Sequence, residues 1–368
     1  MKEKILVITA FVPHRAAAGE KNTMIMINDL AKSYDVDLIY YKYEAEDSYK
    51  PERSNVRIVH EEINSLPRKL WGILSYPFIH PFFSIRFSWK MLSIINNLCE
   101  ENHYKAVVLN HSFIFIFGKL GMPGLTKLLY CHDVIAQRIG RSSNKLMTWI
   151  CKKSEAKMLD IPNSYIFSVS QKDCDLINKL YGKSANVALA YIDDMIINTV
   201  PTKVEDYFCM FADWTRTDNM GGAKWFIENV VPKIDSDITI KIMGRKFPDN
   251  LKSTNPHVHL EVMGFVDDPY LILSNSRGLI TPLFEGAGTK QKVIEALACG
   301  IPSFGTEISF EGLPEKYSDF LHLCHTSEDY IKAFNKSPLS LEDRMNLKKN
   351  FTKDYQTDSF ANFISRLE

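Results

Sequence analysis

The chain has few cysteines and none of them are paired by spacing. Seven in 368 residues, at 99, 131, 151, 174, 209, 299 and 324, are scattered, odd in number and never set as CxxC. Such a set specifies neither a zinc site nor a disulfide framework, so a reducing, cytoplasmic setting is the expectation. An excess of charge of either sign is also missing, with 44 Lys+Arg against 44 Asp+Glu. That balance argues against a dedicated nucleic-acid binder. No apolar run reaches the roughly 18 residues that a membrane span needs, and no low-complexity tract interrupts the chain. No signal peptide is expected, because Lys2 and Lys4 lead straight into a strand-like Ile5–Ala10. What remains is a globular composition, 45% hydrophobic and 24% charged, on a chain longer than one core usually supports. Two domains are the first expectation. The neutral total hides an asymmetry: residues 1–200 hold 25 basic and 20 acidic side chains, and residues 201–368 hold 19 and 24. A positive first half suits an anionic membrane or acceptor, and suits ordinary scatter equally.

Short β-rich apolar runs alternate with helical patterns, which predicts βαβ units and parallel sheets. The first half offers strands at Ile5–Phe11, Val36–Tyr41, Val56–Val59, Ala106–Leu109, Lys127–Cys131, Tyr165–Val169 and Val187–Ala190. The second restarts the pattern at Tyr207–Phe211, Ile238–Met243, Val258–Leu260, Leu279–Pro282, Pro302–Phe304 and Phe320–Leu323. Asp193–Val204, without clear periodicity, reads as the linker. The expected division is 1–200, 201–350 and a C-terminal helix at 351–368 that packs back on the first domain. Leu66–Trp89 breaks the alternation, crowded with aromatics and prolines mixed with Arg68, Lys69 and Arg86. That mixture suits a membrane interface, an irregular core segment or the wall of an acceptor groove.

The segment from Glu285 to Pro302 (EGAGTKQKVIEALACGIP) reads as a glycine-rich loop between a buried strand and a helix. Gly286 and Gly288 let the backbone approach a ligand, and the helix start offers unpaired N–H groups with a partial positive charge. That is a place for a phosphate or diphosphate. Lys290 and Lys292 add cations, and Glu295, one to two turns into the helix, is a carboxylate suited to sugar hydroxyls. The pattern points to a nucleoside-diphosphate ligand that carries a polyol. Lys290 also reads as a solvated helix-start lysine, and Glu295 as a surface glutamate.

This run, followed by Gly305-Thr306 and Glu311-Gly312-Leu313, resembles the donor-site signature of the retaining GT4-type, or group 1, glycosyltransferases. Phe211-Ala212-Asp213-Trp214, Asn219, Gly222, Trp225-Phe226 and Val230-Val231-Pro232 are similar to the start of their second domain, and Gly264-Phe265-Val266-Asp267-Asp268 to the segment that passes the nucleotide base. The resemblance implies a GT-B fold, two Rossmann-like α/β domains facing a central cleft. It implies donor binding by Gly244, Phe265, Val266, Gly286, Gly288, Thr289, Lys290 and Glu295, with Glu295 on the ribose. It implies that His132 is the histidine that contacts the donor sugar. The catalytic candidates beside it are Lys290, whose cation would stabilise the leaving phosphate, and Glu285, which, or else a backbone amide, would take over contact with the sugar. Gly19 and Asp133 fall on the acceptor side, as loop glycine and orienting carboxylate.

Two departures stand out. The family's first glutamate would lie eight residues before Glu295, where Ala287 stands, and Glu285 sits two positions too early. The family's Gly-Arg and later Lys are replaced by Ala212-Asp213-Trp214 and Asn219, which leaves Lys290 and Arg216 to supply positive charge. The expected function is therefore retaining transfer of a sugar from a nucleotide donor to a glycan or lipid-linked acceptor, in surface-polysaccharide assembly. No metal or other cofactor is required, no nucleic acid is bound, and peripheral contact with the inner face of a membrane is a further expectation. A nucleotide-sugar epimerase and a non-catalytic binding protein of the same fold are the alternatives. A nicotinamide enzyme would need GxGxxG after the first strand, and Val12-Pro13-His14-Arg15 stands there instead.

Overall fold

The computed structural model describes residues 2–14, 18–141, 143–188, 191–286, 288–357 and 360–367. It divides into two compact units, Met1–Tyr191 with Asp358–Glu368, and Ile192–Thr357.

The first unit is built on seven strands: β1 (Lys4–Thr9), β2 (Asp35–Lys42), β3 (Val56–Ile63), β4 (Tyr104–Asn110), β5 (Lys127–Cys131), β6 (Ser164–Ser168) and β7 (Ala185–Val187). They pair in parallel in the order β3-β2-β1-β4-β5-β6-β7. Both faces of the central strands are covered, so β1, β4 and β5 are almost wholly apolar rather than alternating with polar residues. In β1, Ile5 and Val7 enter one core, with Met26 and Leu30 of the helix Ala18–Ser33. Leu6 and Ile8 enter the other, with Phe83 and Phe87. Phe360 and Ile364, from the last helix of the chain, close the first of these cores against Tyr130 and Phe167.

The second unit repeats the design with β8 (Tyr207–Phe211), β9 (Ile238–Met243), β10 (Val258–Gly264), β11 (Leu279–Thr281), β12 (Ser303–Gly305) and β13 (Leu321–Leu323). The order is β10-β9-β8-β11-β12-β13, again parallel throughout. In both sheets the order reverses once, between β1 and β4 and between β8 and β11. Loops leaving adjacent strands in opposite directions open a crevice there, at the carboxyl ends, and ligands bind in it.

Two segments differ from the sequence reading. The expected linker carries a helix, Asp194–Asn198, because the Asp193 side chain caps it by accepting from the Met195 N–H. The irregular stretch from Leu66 holds a ten-residue helix, Leu66–Ser75, with Pro67 in its first turn, where no backbone N–H is needed. The last two residues of the expected strand Val187–Ala190 lie outside the described residues.

Candidate functional site

At the switch point of the second unit, the loop after β8 leads into the helix Thr217–Asn229 and the loop after β11 into the helix Gln291–Ala298. The two are brought together by glycine. A Cβ on Gly222 would collide with the Pro282 carbonyl, so this helix rests directly on the start of the second loop. Gly286 (φ +128°) and Gly288 (φ +70°) take positive angles that L side chains rarely adopt. A Cβ on Gly286 would lie 3.6 Å from Lys290 Nζ and 3.8 Å from Asp218 Oδ2, which shows how closely the loop folds over both groups.

Three cations gather here. Lys290 Nζ donates to the Gly288 carbonyl at 2.6 Å and lies 3.8 Å from Glu311 Oε2. Arg216 holds Asp218 through two hydrogen bonds, at 3.1 and 2.6 Å. Lys292 Nζ donates to Asn219 Oδ1 at 2.8 Å, across 73 residues of sequence. Burial pushes the Lys292 ammonium from 10.5 down to about 7; the Asp218 carboxylate resists this, and the Arg216 and Lys290 charges add to it. Burial works to raise the Asp218 pKa, but Arg216, the Asn219 N–H and Lys292 outweigh it and hold it below the usual carboxylate value. No side chain caps the helix at Lys290, so its first N–H groups stay open to a ligand. Thr289 Oγ1 is buried and has no hydrogen-bond partner among the described residues. Cations, open N–H groups and an enclosed hydroxyl together are the groups that an anion site requires.

The remaining expected donor residues surround this loop. Glu295 is almost fully buried and receives Gln291 Nε2 at 3.5 Å, whereas Glu285 is exposed at the loop's outer edge. Gly244 (φ +124°) follows β9 and packs against Ala212, where a Cβ would collide with the carbonyl. Phe265 follows β10 with an exposed ring, 4.8 Å from the Arg245 guanidinium, and Val266 beside it is half-buried. Trp214 is buried, its Nε1–H on the Met243 carbonyl at 3.0 Å, and serves the core. Ala287 lies outside the described residues.

In the first unit, His132 follows β5. Its Nε2 meets Asn110 Oδ1 at 2.7 Å, while Asn110 Nδ2 donates to the Thr23 and Thr9 hydroxyls. Asn110 therefore presents its oxygen, which places the imidazole proton on Nε2 and leaves Nδ1 as an acceptor. Burial pushes His132 down to about 3, so the ring is neutral. His111, held at φ +79° after β4, stacks on it at 3.8 Å between ring centroids, and burial also drives the His111 pKa well down. Gly19 lies beside this pair, 3.7 Å from His111 Cε1 by its missing Cβ. Asp133 points to Arg138 at 3.4 Å. His111, Asn110 and Asp218 were not assigned roles from the sequence, and Lys292 was read there only as added positive charge. Asn110-His111 ends an apolar run just as His132 does, which was the available signal.

Two doubly wound parallel sheets, with a cluster of cations at the switch point of the second, place the chain in the double-Rossmann class of folds. Residues 207–336 match the family model described as "Glycosyl transferases group 1". No curated protein matches the sequence. Among solved structures, the chain is similar to WaaG, a glycosyltransferase involved in lipopolysaccharide biosynthesis, at 14% identity and TM-score 0.63 over 98% of both chains. It is similar to Alr3699/HepE of Anabaena, solved in complex with UDP, at 12% identity and TM-score 0.66 over 100% of this chain and 98% of that one. A third likeness is to sucrose-phosphate synthase of Thermosynechococcus elongatus, at 11% identity and TM-score 0.65 over 99% and 96%. At such identities these likenesses establish the fold, which is GT-B. The group 1 glycosyltransferase match thus covers residues 207–336, the greater part of the second unit, on a GT-B fold.

Proposed function

We propose that the chain transfers a sugar, with retention, from a nucleoside-diphosphate donor to a glycan or lipid-linked acceptor in surface-polysaccharide assembly. The observation that carries this reading is the gathering of Arg216, Lys290 and Lys292 around a glycine-rich loop at the β8/β11 switch point. Cleaving a sugar–diphosphate bond builds negative charge on the leaving phosphate and positive charge on the ring. Fixed cations and open N–H groups stabilise the first directly, in a site partly closed to water. Lys290 and Lys292 are assigned to the diphosphate, Glu295 to the ribose and Phe265 to the base. A neutral His132 suits a sugar hydroxyl, because its Nδ1 accepts without adding charge beside a cationic transition state. In front-face transfer the leaving phosphate takes the acceptor's proton, so no separate base is needed. HepE has been solved with UDP, with UDP and glucose, and with UDP-glucose, which supports a uridine donor here as well.

A thermal-shift screen over UDP, GDP, dTDP and their sugars tests the donor site, since a bound ligand raises the melting temperature. Slow hydrolysis of the matching nucleotide sugar, abolished in Lys290→Ala, is the expected activity. Conversion of the donor to an epimer, or binding with neither hydrolysis nor transfer, would refute the transferase reading.

A further inference from the structure

One helix of the first unit is built inside out. In Leu66–Ser75 the polar side faces the protein: Arg68 ion-pairs with Glu62 at 2.7 Å and donates to Ser88 Oγ at 3.1 Å. Gly72 lies so close to the chain beneath that a Cβ would come within 2.6 Å of the Ser84 carbonyl. The apolar side faces out, with Leu66, Leu70, Trp71 and Leu74 exposed over roughly 55–70% of their surface and Phe78 just beyond at 80%. A helix on a water-bathed surface has the opposite arrangement.

The helix Lys145–Leu159 also turns apolar side chains outward in its first turns. Glu155 is buried and accepts the Ile135 and Ala136 N–H groups at 2.8 and 2.9 Å, while Leu146 and Trp149 are exposed. The short helix Pro81–Ser84 contacts both of these helices. A series of edge-on rings, Trp89–Phe87–Tyr76–Phe78, ties exposed Trp89 and Phe78 to the core. These rings are therefore held outward by packed neighbours.

Charge identifies what covers this surface. Residues 63–99 contain no acidic side chain and four basic ones, Arg68, Lys69, Arg86 and Lys90. Residues 134–154 contain none either, and five basic ones, Arg138, Arg141, Lys145, Lys152 and Lys153. Lys90, Lys145, Lys152 and Lys153 are exposed beside the apolar residues. An apolar protein partner would not require every carboxylate to be missing, whereas an anionic headgroup layer over hydrocarbon does. No helix among the described residues is long and apolar enough to cross a membrane, so contact would be on one face only.

We propose that the outward faces of Leu66–Ser75 and of the first half of Lys145–Leu159, with Phe78 and Trp89, seat the first unit on an anionic lipid bilayer. Tryptophan and leucine enter the headgroup–acyl boundary and the lysines lie against the phosphates. This assignment is independent of the donor site and of glycosyl transfer.

The test is flotation of the full chain with phosphatidylcholine vesicles, with and without phosphatidylglycerol. Binding is expected only with the anionic lipid, weakening as salt rises. Trp71→Ser with Leu74→Ser and Phe78→Ser is expected to abolish it. Lys152→Glu with Lys153→Glu should lower partitioning about 10-fold or more. All five positions are exposed, so the melting temperature and the nucleotide shift should stay at wild-type values, which separates lost docking from lost folding or a failed donor site. Of the five tryptophans, Trp71, Trp89 and Trp149 lie on this surface, so lipids brominated near the headgroup should quench wild-type fluorescence. Absence of binding to anionic vesicles, or binding that survives the triple substitution, overturns the proposal. Self-association of the wild type that the triple substitution removes, without vesicle binding, would assign the surface to a second copy and overturn it too.

Discussion

Lys292 is expected to make diphosphate binding fall with pH in a range where ordinary lysines and the ligand itself do not titrate. In the free protein its ammonium loses its proton near pH 7, mainly because it is buried. A bound diphosphate supplies the countercharge and raises that pKa, so binding takes up a proton. Affinity is then level below about pH 7 and declines above it until the pKa of the complex is reached. The ligand's last phosphate ionisation, near pH 6, is complete before the decline begins. Each pH unit is worth about 1.4 kcal/mol, so between pH 7.5 and 9.5 the loss approaches about 2.7 kcal/mol, or 100-fold, if only the protonated form binds. The linked stability effect has a definite sign. The folded-state pKa is depressed, so the cost of the buried ammonium is full below pH 7, and stability rises with pH from there to about 10.5 as the group deprotonates. Titration calorimetry with UDP, in buffers of differing ionisation enthalpy, reads affinity and proton uptake together. Lys292→Met should bind weakly with a flat profile, and Lys292→Arg should bind with a flat profile because guanidinium does not titrate in this range. Wild-type affinity constant within twofold from pH 7.5 to 9.5, or a decline that persists in Lys292→Met, would refute the reasoning.

Three further outcomes follow from the packing. Gly222→Ala should cost about 3 kcal/mol, since the new Cβ meets the Pro282 carbonyl and the helix must lift off the loop; urea unfolding reads the loss, and UDP binding should weaken at the same time. Arg344 is fully buried, donates to the carbonyls of Ser274, Ser276 and Leu339, and burial lowers its pKa to about 10. Arg344→Leu leaves those carbonyls unpaired and should destabilise the chain by about 3 kcal/mol in the same measurement. Asn110→Ala frees the His132 tautomer, and kcat is expected to drop by roughly 10-fold or more while UDP affinity holds; an unchanged kcat would remove His132 from the reaction.

Much of the architecture was legible because buried parallel strands announce themselves as apolar runs. Tyr207–Phe211 and Ile238–Met243 are strands over the whole span read from the sequence. The loop from Glu285 was legible as well, since glycines ahead of a helix are a local feature. Leu66–Ser75 was not, because its apolar side faces outward and the cue that predicts a surface helix is reversed. His111 was passed over because its stack on His132 depends on β4 and β5 lying side by side, with Asn110 paired to Tyr130.

The sequence by itself determined the alternation of strand and helix, the two-domain count, the glycine-rich loop and the resemblance to a glycosyltransferase family. All of these are written in neighbouring residues, whose spacing sets local conformation directly. Only the tertiary structure decided which charges act together. Asn219 and Lys292 meet because the parallel β8 and β11 are neighbours at the switch point, and burial there turns an ordinary lysine into one that titrates near neutrality. A pKa depends on what surrounds a group in space, and the residues that surround Lys292 come from segments far apart in the chain.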